Sequence, residues 1–435
     1  MRFLDAVKQT DPLTVHGRVA QAVGIVIEGY GPVTSIGEVC EITREHGQPP
    51  VQAEVVGFRG ERILLMPLGE TQGIGPGSLV LMKGKPASVP VGPHLLGRIL
   101  NGLGEPIDGR GPVNSEGTYP LHAAPPDPLQ RARITEPLDL GVRALNALLS
   151  CGVGQRMGIF AMSGVGKSVL LGMIGRYTAA DVTVIALIGE RGREVKEFLE
   201  RDMAPDALAR SVVVVATSDQ PPLVRIRGAL LATAIAEYFR DRGKRVLLMM
   251  DSLTRLAHGQ REIGLATGEP PTSKGYTPSV FALLPKLLER VGTCAGAGSI
   301  TGLYTVLTDD EALSDPIAES VRSILDGHIV LSRELAERNH FPAVDILQSA
   351  SRVMRDIVPA SQYDAARHAV ELTAVYRRSE DLITLGAYKP GGNKSLDRAV
   401  AAHEPLSRFL RQPPDIRADW SSSVEALMKL EQETR

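Results

Sequence analysis

Between His16 and about Val91, apolar residues come in short alternating runs (Arg18 to Val26, Val51 to Phe58, Arg62 to Met66, Ser78 to Met82) cut by turns such as Gly29-Tyr30-Gly31-Pro32 and Gly75-Pro76-Gly77. A period of two bounded by glycine and proline marks half-buried strands, and helical periodicity is nearly absent. Residues 16–91 are therefore expected to form a small β-domain closing into a barrel, preceded by a tail, 1–15. Residues 92–140 are rich in Gly and Pro (Gly102, Gly104, Pro106, Gly109, Gly111, Pro112, Pro125, Pro126, Pro128) and predict an extended, irregular connector. From 141 to 365 the texture changes. Apolar runs at Gly158 to Ala161, Val182 to Ile188, Val212 to Ala216, Val246 to Met250 and Ser299 to Leu307 alternate with helical stretches at Ser168 to Tyr177, Glu194 to Asp202, Val224 to Phe239 and Ser279 to Val291. Strands that are apolar throughout, separated by helices, predict an α/β core whose mostly parallel sheet is covered on both faces. Residues 366–435 contain no strand pattern. Helical periodicity at Gln362 to Arg377, Ser395 to Gln412 and Val424 to Leu430 predicts a closing helical domain.

Composition adds mainly exclusions. The 435 residues are 43% hydrophobic and 23% charged, with 48 Lys and Arg against 50 Asp and Glu, so no global positive field draws the chain to nucleic acid or anionic lipid. Cys40, Cys151 and Cys294 are far apart, which indicates neither a disulfide framework nor a zinc site and fits buried thiols in a reducing cytoplasm. Met1 to Gln9 lacks an apolar signal core, and the longest apolar runs are strand-sized. Any membrane role is expected to come through partners.

The candidate chemistry begins at Gly158 to Ser168, G-I-F-A-M-S-G-V-G-K-S. A polyphosphate needs several backbone N–H groups converging on it, and small residues such as Gly164 and Gly166 let the backbone come that close. Lys167 would neutralise phosphate oxygens, Ser168 would bind Mg²⁺, and the following helix would aim its N-terminal dipole at the same charge. The nucleotide-contacting stretch is then Ala161, Met162, Ser163, Gly164, Val165, Gly166, Lys167, Ser168 and Val169, with Ala161 standing where the Walker A pattern has its first glycine. The plainer alternative is an ordinary strand-to-helix turn with a surface lysine.

Arg245 to Asp251 is an apolar strand ending in a carboxylate, suited to reach Mg²⁺ through water; a helix N-cap is the competing use of Asp251. Val182 to Ile188 ends in Gly189-Glu190-Arg191-Gly192-Arg193, where Glu190 could polarise an attacking water. Glu194 and Glu197 lie inside the next helical pattern and are expected to be solvated, or paired as Glu197 with Arg201. Hydrolysis also calls for an arginine at the γ-phosphate, often from a neighbouring subunit. Spacing alone does not choose among Arg255, Arg322, Arg333 and Arg352.

Pro342 to Ser351 (P-A-V-D-I-L-Q-S-A-S), followed by Arg352, resembles the signature of hexameric rotary ATPases related to F- and V-type catalytic subunits. The runs at Gly189 to Lys196, Met250 to Arg255, Gln260 to Ala266, Gly268 to Pro271, Lys274 to Arg290 and Asp315 to Arg333 resemble one branch, the protein-export ATPases of type III secretion, in particular the flagellar one. The resemblance extends from about residue 16 to Ala418-Asp419-Trp420. It implies a β-barrel, a RecA-like P-loop core and a C-terminal helical domain, assembled as a homohexamer with Mg²⁺ and ATP at subunit interfaces. It further implies Lys167 on phosphate, Ser168 and Asp251 in the Mg²⁺ shell, Glu190 as catalytic carboxylate, Arg191 and Arg255 supporting the pocket, and Arg352 as a finger reaching the next subunit. Phe341 and Phe409 would flank adenine, although Pro414 replaces a further aromatic of the rotary subunits.

Implied partners are a stator or regulator at Met1 to Leu13, a central stalk at the C-terminal domain, export-gate membrane proteins and chaperone–substrate complexes, with the ring peripheral to the inner membrane. The basic, glycine-rich Leu385 to Lys394 replaces the acidic stalk loop of F-type β subunits and argues against ATP synthase. A virulence-type injectisome ATPase is the alternative within the branch. A hexameric RNA translocase is disfavoured, because residues 16–90 offer only Tyr30 and Phe58 as stacking aromatics and little excess positive charge. A noncatalytic regulatory subunit is disfavoured by the presence of Lys167, Glu190 and Arg352.

Overall fold

In the computed structural model, residues 16–308 and 315–434 are described; the tail with Phe3, Leu4 and Val7 lies outside them. Strands His16–Val23, Val26–Tyr30, Glu38–Ile42, Val51–Arg59, Arg62–Pro67 and Leu79–Pro86 close into a barrel, in the order first, second, fifth, fourth, third, sixth. Alternate residues point inward, so Val19, Ile27, Cys40, Ile42, Val55, Leu65 and Val80 form its core. Burial pushes the Cys40 thiol, and likewise that of Cys151, up to about 12, which keeps both inert. Arg227, on the helix Pro222–Arg240, pairs with barrel residue Glu54 at 2.8 Å.

The connector is less irregular than its composition suggests. Gly117–Pro120 pairs with Ser88–Val91, and Ile99–Asn101 adds a parallel strand beside Ser211–Ala216. Three-residue strands carry too little periodicity to register in a sequence. This one is held by Asp108, which accepts from Arg98 Nε at 2.6 Å, Arg98 Nη2 at 2.8 Å and the Ile99 amide at 3.1 Å.

The central sheet runs Ala350–Ser351, Gly327–Leu331, Arg156–Ala161, Ser299–Leu307, Arg245–Asp251, Val182–Ile188, Ser211–Ala216, Ile99–Asn101, with Gly292–Thr293 beside Ser299–Leu307. All neighbours along this order are parallel except Ala350–Ser351. Val182–Ile188 is buried along its whole length, as its mainly apolar run predicts, and each of its Val, Ile and Leu side chains contributes about 1.5–3 kcal/mol. Carboxyl ends of parallel strands all open on one edge, where loops can gather around a ligand.

Helices Ala360–Thr384, Lys394–Leu410 and Trp420–Thr434 form the C-terminal domain. Fully buried Gln362 donates to the carbonyls of Asn146 at 3.1 Å and Ala147 at 3.3 Å, and Gln412 donates to Gly141 O at 3.0 Å while accepting from the Arg143 amide at 2.7 Å. These buried amide hydrogen bonds weld this domain to the start of the core.

His340 lies at the same junction, facing a cavity of about 100 Å³ with Leu335, Val344, Tyr376, His403 and Leu410. Its Nε2 is buried without a hydrogen-bond partner. Burial, then Arg411 and His403, hold its pKa down to about 4 against the ordinary 6.5. The unfolded chain thus takes the proton first, so the stability concerned is present above pH 6.5 and lost as pH falls toward 4. His340→Leu is expected to lose roughly 1–2 kcal/mol less than the parent between pH 7 and 5. Melting curves of both proteins at the two pH values check this, and an equal drop in Tm would refute it.

Candidate active site

Arg156–Ala161 leads into the loop Met162–Gly166 and then the helix Lys167–Tyr177. Gly164 and Gly166 have φ of +82° and +91°, the left-handed region that glycine enters without penalty. A Cβ on Gly166 would also stand 3.4 Å from the Phe341 ring. Ala161 and Val165 are buried and anchor the loop from beneath, whereas Ser163, Gly164, Ser168 and Val169 are exposed on its outer side.

Lys167, the first residue of the helix, aims Nζ at two strand ends. It contacts Asp251 Oδ1 and lies 3.4 Å from Glu190 Oε1. Asp251 closes Arg245–Asp251 and does not cap the following helix; Ser252 does, accepting from the Arg255 amide. Glu190 follows Val182–Ile188. The turn between them depends on Gly189 (φ +72°), where a Cβ would meet Arg255 Cβ at 2.6 Å. Glycine there lets Arg255 cross beneath the Glu190 loop.

Burial, then the negative charge of Asp251, push the Glu190 carboxyl up to about 7 against the opposing pull of Lys167. Burial works to lower the Lys167 pKa, but Asp251 and Glu190 outweigh it and raise it. Groups shifted this far by burial and by one another in a single cleft are the arrangement expected where charge must move during a reaction.

Met162, Ser163, Gly164, Gly166, Lys167, Ser168, Val169, Glu190, Arg191, Glu194, Arg255 and Leu307 line a cavity of about 320 Å³. Beside it, Ser168, Glu190, Glu194 and Asp251 border a recess of about 20 Å³. The donors fit a magnesium nucleotide: one hydroxyl and one nearby carboxylate suit a cation that keeps most of its water, and Arg255 Nε is buried without a partner at the cavity. Arg191 is largely exposed and pairs with Glu194 at 3.3 Å.

Two expectations change. Glu194 is not simply solvated, since it borders both cavities and its hydrogen bond helps raise the Glu190 pKa. Glu197 pairs with Arg193 at 2.8 Å, not with Arg201, because the helix widens into a π-turn over Phe198–Asp202 and rotates Arg201 away. Phe341 is 40% exposed beside the phosphate loop, while Phe409 is 7% exposed, packed among core residues with the Arg143 guanidinium 5.9 Å from its ring centre. The structure brings Phe341 to the loop and leaves Phe409 in the domain junction.

Arg352 is elsewhere. It follows Ala350–Ser351, whose partners Gly327 and His328 begin their strand, and its amide donates to Asp326 O at 3.0 Å. Asp326 lies level with Arg156, so Arg352 sits at the amino edge of the sheet. It is separated from its own loop by five residues of strand, about 16 Å. Its side chain is exposed, with Nη2 3.4 Å from Arg322 O. Residue spacing had missed Thr305, a hydroxyl inside a buried apolar strand, which donates to Asp251 Oδ1 at 2.6 Å.

Comparison with known proteins completes the picture. The beta-barrel domain of the ATP synthase alpha/beta family matches residues 19–84, its nucleotide-binding domain matches 141–351, and the T3SS EscN ATPase C-terminal domain matches 358–429. The flagellum-specific ATP synthase of Bacillus subtilis is 51% identical over 98% of each chain. The type 3 secretion system ATPase of Xanthomonas euvesicatoria is 52% identical over 95% of this chain and 93% of its own. The structure of assembled EscN from enteropathogenic E. coli, in complex with its central stalk EscO, is 45% identical, with a TM-score of 0.88 over 95% of this chain and 100% of that one. Among the described residues no helix is long and apolar enough to cross a membrane. With barrel, nucleotide site and helical domain matched in order along nearly its full length, the chain belongs to the family of type III secretion and flagellar ATPases built on ATP synthase alpha/beta domains.

Proposed function

We propose that this ATPase works as a ring of identical subunits that hydrolyses Mg²⁺–ATP between neighbours and energises protein export at the flagellar base. One observation carries the reading: Lys167, Glu190 and Asp251 converge on one edge of the sheet, while the exposed Arg352 lies on the other. A head-to-tail contact between copies brings the two edges together.

Ser168, and Asp251 through water, would hold Mg²⁺, which when bound neutralises charge between the terminal phosphates. Lys167 exchanges its carboxylate partners for phosphate oxygens. Glu190 orients the attacking water and accepts its proton. Arg255 steadies the phosphates, Arg352 of the adjoining copy meets the charge spreading over the γ-oxygens, and Phe341 offers its exposed ring to adenine.

The turn between Ala360–Thr384 and Lys394–Leu410 exposes Leu385 and carries Lys389, with exposed Leu382 and Lys394 at the adjoining helix ends, which supports this corner as the stalk contact. A stator at residues 1–13, the export gate and chaperone–substrate complexes complete the assembly, at the inner face of the membrane. The similarity to the Xanthomonas protein supports an injectisome as the second reading. Deleting the gene separates the two: loss of filaments and motility supports the flagellar role, and loss of effector secretion with normal motility supports the other.

Glu190→Gln is expected to bind ATP with near-normal affinity and to lose about 10²–10⁴-fold in kcat, the range for removing a general base. Fluorescent-nucleotide titration beside phosphate release checks this, and loss of binding would make Glu190 a structural residue.

A further inference from the structure

Thr305 is fully buried, on the strand that separates the loop strand from the Asp251 strand. Its register partner on one side is Ile159, and its neighbour Tyr304 is level with Met250 on the other. The hydroxyl lies 2.6 Å from Asp251 Oδ1 and 3.3 Å from Met250 O. A hydroxyl has one proton, and the short contact to the charged oxygen takes it. Lys167 engages the same Oδ1, and among the described residues neither side-chain hydrogen bond to Asp251 falls on Oδ2.

We infer that Thr305 is the positioning residue for Asp251. It pins Oδ1 so that Oδ2 keeps a fixed direction toward the recess shared with Ser168, and it goes on doing so when Lys167 leaves for phosphate. Two donors hold the carboxylate before nucleotide binds, and one, Thr305, holds it afterwards. Thr305 therefore matters most in the state that carries the cation. Thr254 reinforces the placement: its hydroxyl accepts from the Leu307 amide at 2.8 Å, locking the end of the same strand to the helix that follows Asp251.

The inference rests on the metal–nucleotide site proposed above, and the test separates the two. Mn²⁺ affinity of the purified full-length chain in the presence of ADP is measured by electron paramagnetic resonance, beside the Mg²⁺ dependence of ATP hydrolysis. The parent should show ADP-dependent Mn²⁺ binding that Asp251→Ala weakens; if it does not, the site itself is wrong. Thr305→Val, nearly the same shape without the hydroxyl, is expected to weaken Mn²⁺ about tenfold, the worth of one hydrogen bond to a charged group. It should also raise the Mg²⁺ needed for half-maximal turnover, with ADP affinity in the absence of metal unchanged. Thr305→Ser should restore both. If Val disturbs the strand, Thr305→Cys, a weak donor of similar volume, takes its place in the comparison. Parental Mn²⁺ affinity in the variant, or a Ser variant as impaired as Val, would overturn the assignment.

Discussion

Lys167→Ala is expected to leave a folded protein whose ATP turnover is at least about 10³-fold below the parent. The ammonium is the cation between Asp251 and Glu190 and, on the proposed mechanism, the group that later meets the phosphates. Removing it leaves two carboxylates at close quarters, each disfavouring the other's charge, so the Glu190 carboxyl rises further above its present value near 7. The fold should survive, because Glu190 borders a cavity of about 320 Å³ that admits water and lets its carboxyl take a proton. Phosphate release under saturating ATP, with circular dichroism and a melting curve as the folding control, decides the matter. Turnover within tenfold of the parent would remove Lys167 from the chemistry.

Arg352→Ala should lose a similar factor, about 10³ or more, without altering nucleotide affinity within a single subunit. Its distinctive property is rescue. Neither Lys167→Ala nor Arg352→Ala rings should turn over, but mixing the two subunits creates interfaces at which an intact pocket meets an intact finger. Random mixing in equal amounts makes such interfaces about a quarter of the total. Turnover should therefore return toward that fraction of the parental rate. Mixed rings as inactive as their parents would place Arg352 outside the reaction.

Much of the site is visible in the amino-acid string because buried parallel strands appear as unbroken apolar runs. Glu190 and Asp251 stand where two such runs stop, and small residues around Lys167 mark the loop. Other parts leave no local trace. By spacing alone Arg352 is one of many arginines, marked out only by the family resemblance of Pro342 to Ser351 before it; the sheet adds its place on the edge opposite Lys167, whereas Arg333 pairs with Glu337 on its own short helix at 3.3 Å. Phe409 has the composition of an adenine wall and the position of a core residue. Glu197 follows helical spacing to Arg201 only while the helix stays α, and the π-turn over Phe198–Asp202 breaks that spacing. Thr305 sits in a strand whose other residues are mostly apolar, and only the adjacent Asp251 gives its hydroxyl a purpose.

If Arg352 serves the neighbouring copy, as proposed, its separation from its own phosphate loop by the depth of the sheet makes catalysis a matter of headcount. A lone copy would then hold nucleotide and do nothing with it, so that a dilute pool would idle without draining ATP. Specific activity should accordingly climb more steeply than in proportion to protein concentration until the circle closes, and then level off. On that arrangement the chain would carry its own safeguard against working before there is a machine to drive.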